Sequence, residues 1–237
     1  MLKYIAQIAC AAALLWSAPA SSQTAPANDW IAALRAGGHV IVLRHGATHQ
    51  DQADTDPLNI SDTTKQRQLN DQGRALAKSI GDSLRKLRIP VASVQTSMFF
   101  RAQETGRLLG FGEITTTADI TEGGLVVTPN ENNRRAAALR KLAATEPPAR
   151  GNAVLVSHKP NIMDAFGKDW FDVSEGEASI FKPNGSGGST LLTRVKAPTG
   201  PDSRSRWTDA TAERPHRDFA LRHFHLAHVG APRRPSA

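Results

Sequence analysis

His39-Val40-Ile41-Val42-Leu43-Arg44-His45-Gly46 is the stretch on which the fold turns. From His39 to Leu43 the run is mostly apolar and reads as a buried strand of a parallel sheet. It stops on an arginine, a histidine and a glycine. Upstream, Asp29 to Ala36 read as a short helix capped by Asn28 or Asp29, with Trp30, Ile31 and Leu34 on one face. Gly37-Gly38 end that helix.

Downstream, Thr48 to Gln68 are polar and aperiodic, a long loop of the kind that in compact domains is functional or disordered. Asn70 or Asp71 caps a helix to about Leu87, in which Leu76, Ile80, Leu84 and Leu87 recur at helical spacing. Pro90 breaks the chain, Val91 to Gln95 resume as a strand, and Phe99 to Leu109 read as a helix closed by Gly110. Glu113 to Thr117 form a third strand, Glu131 to Ala144 a helix ended by Pro147-Pro148, and Ala153 to Val156 a fourth, buried strand. A short helix spans Asn161 to Gly167. Ala178 to Phe181 and Thr190 to Val195 flank a Pro- and Gly-rich turn, the signature of a hairpin. Apolar strands alternating with helices predict an α/β three-layer sandwich: a mainly parallel sheet flanked by helices, with an antiparallel edge hairpin near the C-terminal end of the domain.

The 237 residues suit one domain with appendages, and a 40% hydrophobic content supplies a core without suggesting several membrane spans. The net charge of +7 is uneven, since Lys196 to Ala237 hold eight Lys/Arg against four Asp/Glu and so contribute +4 of it. No basic stripe interleaved with aromatics appears, which argues against nucleic acid as a partner. Lys3, the apolar run Ile5 to Trp16 and the small residues Ala18-Pro19-Ala20 read as a secretory signal peptide over residues 1–22. Its apolar part is too short to span a bilayer, so no stable membrane insertion is expected after cleavage. The expected organisation is that signal, an α/β domain over 23–195, and a basic, disordered tail over 196–237. Cys10 is the only cysteine and lies in the signal, so the exported, periplasmic or secreted product is expected to lack disulfides and thiol chemistry.

Ligands of open α/β sheets bind beyond the C-terminal ends of the strands. Arg44-His45-Gly46 follow the first strand. Thr96, Ser97 and, one helical turn on, Arg101 follow the second. Asp119, Glu122 and Gly123-Gly124 follow the third, and Ser157-His158-Lys159 the fourth. Two histidines, two arginines and a carboxylate thus converge on one rim, as phosphoryl transfer through a phosphohistidine requires.

Three segments resemble the histidine phosphatase superfamily, also called phosphoglycerate mutase-like: Leu43-Arg44-His45-Gly46, Thr96 to Thr105 with its Arg101-Ala102-Gln103-Glu104-Thr105, and Val154 to His158. Gln68-Leu69-Asn70-Asp71-Gln72-Gly73-Arg74-Ala75 is similar to a further family segment, and Gly176-Glu177 with Pro183 and the Gly-rich turn is similar to exported bacterial members. The resemblance spans roughly residues 40–195. It implies that His45 attacks phosphorus in line, with its other ring nitrogen held by a backbone carbonyl. It also implies that Arg44, Arg101 and a protonated His158 surround the equatorial oxygens, with Thr48 and Ser97 as further phosphate ligands. Ser97 suits a helix N-cap equally well. A carboxylic acid protonates the leaving oxygen, and Glu122 is the first choice, with Asp119 and Glu131 as rivals. Glu104, at i, i+3 from Arg101, is expected to orient that arginine by an ion pair. Lys159 is either a solvated charge or an attractant for anionic substrates.

No metal or other cofactor is implied, because the cationic side chains supply the charge. His216, His223, His225 and His228 of the tail are not expected to form one defined metal site. The chain departs from the family pattern at Ala47, where many members carry Glu, at Met98, where a proline is frequent, and at Lys159, where a glycine is frequent. The expected partner is a small phosphorylated substrate or a phosphoglycan, hydrolysed rather than used for mutase transfer, because an exported enzyme lacks a cytosolic bisphosphate donor. The rival from another class is a catalytically inactive phosphate- or phosphoglycan-binding protein on the same scaffold.

Overall fold

A computed structural model describes residues 29–123, 127–148 and 150–196. The signal expected over 1–22 and, apart from Lys196, the tail expected over 196–237 lie outside the described residues. The strands are β1 (Val40–Arg44), β2 (Val91–Ser97), β3 (Ile114–Thr117), β4 (Asn152–Ser157), β5 (Ala178–Pro183) and β6 (Ser189–Val195). The helices are α1 (Asp29–Ala36), α2 (Asp71–Lys86), α3 (Phe100–Leu108), α4 (Pro129–Ala143) and α5 (Lys159–Phe166). They form one six-stranded sheet in the order β3-β2-β4-β1-β5-β6. β3, β2, β4 and β1 run parallel, and β5 and β6 add the antiparallel edge. The chain is therefore the α/β sandwich that the sequence predicts.

Alternation along β1 shows why its apolar residues are needed on both faces. Ile41 and Leu43 pack with Trp30 and Leu34 of α1, Ile80 and Leu84 of α2, and Ala102 of α3. Val40 and Val42 face the other way, against Ala136 and Leu139 of α4 and Ile162 and Ala165 of α5. All four β1 side chains are at most 2% exposed, which burying a strand between two helical layers demands. Some boundaries move from the sequence reading. α4 starts at Pro129 and α5 at Lys159 followed by Pro160, because proline fits a first helical turn whose N–H groups have no intrahelical partner. β2 reaches Ser97, since pairing with β3 and β4 continues past Gln95.

Register sets the rim of the sheet. Arg44 pairs with Ser157 across β1 and β4, Thr96 with Val156 across β2 and β4, and Ser97 with Thr117 across β2 and β3. The residues that follow these strands therefore emerge at one level. Asn70 caps α2 by accepting from Gly73 N at 2.8 Å. α2 then approaches the loop after β1 so closely that a Cβ on Gly73 would stand 2.1 Å from Ala47 O, and one on Gly46 2.7 Å from Gly73 O. These glycines are required by space.

The Gly73→Ala substitution is accordingly expected to destabilise the domain by about 1–3 kcal/mol, as overpacked sites do. Thermal unfolding followed by circular dichroism should show the melting temperature falling by roughly 2–4 °C per kcal/mol. An unchanged melting temperature would contradict the close approach of α2 to the β1 loop.

Candidate active site

His45 stands where four pieces of backbone meet. Its N–H donates to Ser157 O of β4 at 3.1 Å, and Gly176 N donates to both Arg44 O and His45 O. Gly46 N donates to Thr105 Oγ1 of α3 at 3.1 Å, and that hydroxyl donates to Arg101 O at 2.7 Å. The imidazole is 2% exposed, and its Nδ1 lies 2.7 Å from Gly46 O. A carbonyl only accepts, so Nδ1 carries the proton and Nε2 keeps a lone pair. Burial, then the neighbouring His158 and Arg101, hold this imidazole well below the ordinary histidine value of 6.5, so it is neutral.

His158 follows β4 as His45 follows β1, and the two ring centroids lie 5.1 Å apart. Its Nε2 is 2.7 Å from Ser97 Oγ, which also accepts from Phe99 N. Its Nδ1 is buried with no hydrogen-bond partner, 3.5 Å from Glu122 Oε1. With Ser97 donating to Nε2, the tautomer leaves Nδ1–H as the free donor. Burial, then Arg101, Arg67 and Arg44, hold His158 well below 6.5 as well. The protein's own groups therefore keep it neutral in the free chain, and a bound anion would favour the imidazolium.

Arg101, in the first turn of α3, is fully buried. Its Nη1 donates to Asp54 Oδ1 at 2.9 Å, its Nη2 donates to Glu122 Oε1, and its guanidinium lies 4.2 Å from the centre of the Phe99 ring. Arg44 Nη1 donates to Val173 O at 2.7 Å, and its Nη2 is 3.4 Å from Glu175 Oε1. The Nε of Arg44 and the Nε of Arg101 are both buried without an acceptor. Unpaired buried donors on cations, beside an imidazole nitrogen without a hydrogen-bond partner, form a site in want of an acceptor-rich anion.

The three carboxylates weighed as acid part company. Asp119 pairs with Arg134 at 2.6 Å on the surface. Glu131 is bound by Arg134 and Arg135, which hold its carboxyl down to about 2. Glu122 alone of the three touches Arg101 and approaches His158. Glu104 pairs with Arg74 of α2 at 2.8 Å and not with Arg101, contrary to the helical-spacing expectation. Arg101 turns inward to Asp54 and Glu122, whereas Glu104 faces α2. Thr48 is buried and its backbone pairs with Leu69. The Ser97 hydroxyl serves His158 and the chain entering α3, so the bonds it makes are those of a bracket. Lys159 Nζ lies 4.7 Å from the centre of the exposed Phe171 ring.

Sequence reasoning missed Asp54, Arg67 and Glu175. The first two sit in the loop before α2, where Thr55 N donates to Lys65 O at 2.8 Å and closes off the exposed tip around Leu58. Among the described residues, no group of three or more His, Cys, Asp or Glu could hold a metal ion, and no helix is long and apolar enough to cross a membrane.

Two buried neutral histidines have a consequence for stability. Histidines in the unfolded chain take up protons as the pH falls through about 6.5, before those of the folded chain do, so stability falls with pH in that range. Between about pH 7 and 5.5 the melting temperature should drop for the natural chain and drop less for His158→Gln. His39, also held low by burial, stays in both proteins and cancels from the comparison. Equally steep profiles would remove His158 from the account.

Residues 40–127 match the family model of the histidine phosphatase superfamily (branch 1). Among solved structures, the chain is similar to the protein histidine phosphatase SixA complexed with tungstate, at 17% identity over 66% of this chain and 95% of that one, TM-score 0.48. It is also similar to a phosphoserine phosphatase of Entamoeba histolytica, at 14% identity over 66% and 95%, TM-score 0.47. A mycobacterial glucosyl-3-phosphoglycerate phosphatase matches at 17% identity over 65% and 97%, TM-score 0.47. No curated protein matches the chain at a significant level. Over residues 40–127, then, the chain is similar to the histidine phosphatase superfamily (branch 1).

Proposed function

We propose that the protein is a phosphomonoester hydrolase that works through a phosphohistidine on His45 without a metal. The observation that carries this reading is the 2.7 Å bond from His45 Nδ1–H to Gly46 O, in a ring kept neutral beside His158, Arg101 and Arg44. It leaves Nε2 as a nucleophile whose tautomer and orientation are fixed before substrate arrives.

In the first step the bond from Nε2 to phosphorus forms and the bond from phosphorus to the leaving oxygen breaks, the leaving oxygen taking a proton from Glu122. Arg44, Arg101 and His158 Nδ1–H stabilise the non-bridging oxygens, where the transition-state charge resides. Water then attacks phosphorus on the opposite side, Glu122 takes its proton, the bond from nitrogen to phosphorus breaks, and inorganic phosphate leaves. The guanidinium groups supply the positive charge that a metal ion supplies elsewhere, which supports metal independence. The leader-like residues 1–22 support export to the periplasm or beyond. Substrates in keeping with that location are small phosphomonoesters, phosphorylated glycans, or phosphohistidine on a protein.

Turnover of p-nitrophenyl phosphate in the presence of a chelator tests the reading. The natural chain should release p-nitrophenol, and His45→Ala should fall to background. Glu122→Gln should lose about 10²–10⁴-fold in kcat on alkyl phosphates, whose leaving groups need a proton, and less on the nitrophenyl ester. An alkaline rapid quench with labelled substrate should retain label on the protein that acid then removes. Phosphate binding without turnover would make the protein a binder on the same scaffold.

A further inference from the structure

The loop before α2 delivers a third arginine to the site. Gln66 is 4% exposed and pinned on both sides: its Nε2 donates to Ile60 O and its Oε1 accepts from Phe100 N, each at 2.7 Å. Phe100 is the first residue of the helix that carries Arg101. The next residue, Arg67, donates its backbone N–H to Asp54 Oδ1 at 3.0 Å, and that same oxygen accepts from Arg101 Nη1 at 2.9 Å. Two residues further on, Leu69 is fully buried and pairs with Thr48, three residues after His45. Arg67 is thus held between the nucleophile's loop and the Arg101 helix by bonds that do not use its guanidinium.

That guanidinium is positioned and unpaired. Its Nε is buried without an acceptor, and among the described residues it forms no ion pair. Asp54 Oδ1 accepts from the Arg67 backbone and from Arg101. Its charge bears on both His158 and Arg44, lowering each. A structural arginine would be paired by the fold; this one sits against other cations, with a buried donor that protein groups leave unmet.

We propose that Arg67 is a third guanidinium ligand of the phosphoryl group, contacting its non-bridging oxygens together with Arg44 and Arg101. The assignment rests on the phosphatase reading for the identity of the substrate and on the geometry alone for oxyanion binding. Three guanidinium groups favour the dianion of a phosphomonoester over the monoanion of a diester, so Arg67 also sets the substrate class.

Inorganic phosphate and vanadate, titrated calorimetrically into the full chain, test this directly, alongside turnover and melting temperature. Arg67→Gln should weaken phosphate binding by about 10–100-fold, the loss expected for a charge-assisted hydrogen bond. Its melting temperature in phosphate-free buffer should stay level or rise, because a half-buried cation whose buried Nε lacks an acceptor has been removed. Arg67→Lys, which keeps the charge and loses the fork, should fall between the two in affinity. Phosphate affinity within twofold of the natural chain, or a loss of affinity that tracks a lower melting temperature in both variants, would overturn the assignment. If Arg67→Gln loses phosphate affinity while the natural chain shows no turnover, the ligand assignment stands and the phosphatase reading falls. If the natural chain turns over and Arg67→Gln matches it in kcat/KM, the reverse holds.

Discussion

The parallel pairing of β1 with β4, in the register that sets Arg44 opposite Ser157, is the constraint from which the rest follows. Neighbouring strands in a sheet are about 4.8 Å apart. Side chains that leave the same end of two such strands are therefore forced together, and the 5.1 Å between the two imidazoles is close to that spacing. The sheet thus holds the histidine pair without a dedicated scaffold. β2 lies on the far side of β4 and brings Ser97 to His158, and α3, which follows it, brings Arg101. His45, His158, Ser97 and Arg101 hang from these three strand ends, and hydrophobic burial on both faces of β1 keeps them in place.

Electrostatically, the site is a balance of buried opposites. Arg44 meets Glu175, Arg101 meets Asp54 and Glu122, and Arg67 leans on Asp54 through its backbone. Three guanidinium groups thus stand among three carboxylates, with both histidines neutral. A phosphate dianion entering such a site would tip it negative and favour the imidazolium of His158.

The fold is legible because β1 and β4 are short apolar runs between turn signals, alternating with helical segments, and β1, β2 and β4 end on residues that do not belong in a core. Arg44, His45, Arg101 and His158 could be found for the same reason: they sit at fixed offsets from strand ends. Asp54, Arg67 and Glu175 could not, since they lie in aperiodic chain whose path is set by contacts such as Phe100 N to Gln66 Oε1, distant in sequence. Glu104 misled because helical spacing describes neighbours within one helix, and here the competing neighbour, Arg74, belongs to another. The charge around His158 is likewise beyond the motif: the motif names the ring, but the density of surrounding cations, one of them Arg67, comes only with the fold.

The hydrogen bond from Thr55 N to Lys65 O separates the loop before α2 into an anchored base and a closed tip carrying Leu58. The base holds Asp54, Gln66 and Arg67, and the tip holds none of the groups that meet the anion. Since the entropy of closing a loop grows only logarithmically with its length, the stretch around Leu58 can vary in length at small thermodynamic cost so long as Ile60 O and Thr63 O, which accept from Gln66 and Gln68, are kept. Such changes would reshape the approach to the reaction centre while leaving its charges untouched. The charges of the site and the shape of its approach are thereby carried by different parts of one loop, its anchored base and the stretch around Leu58.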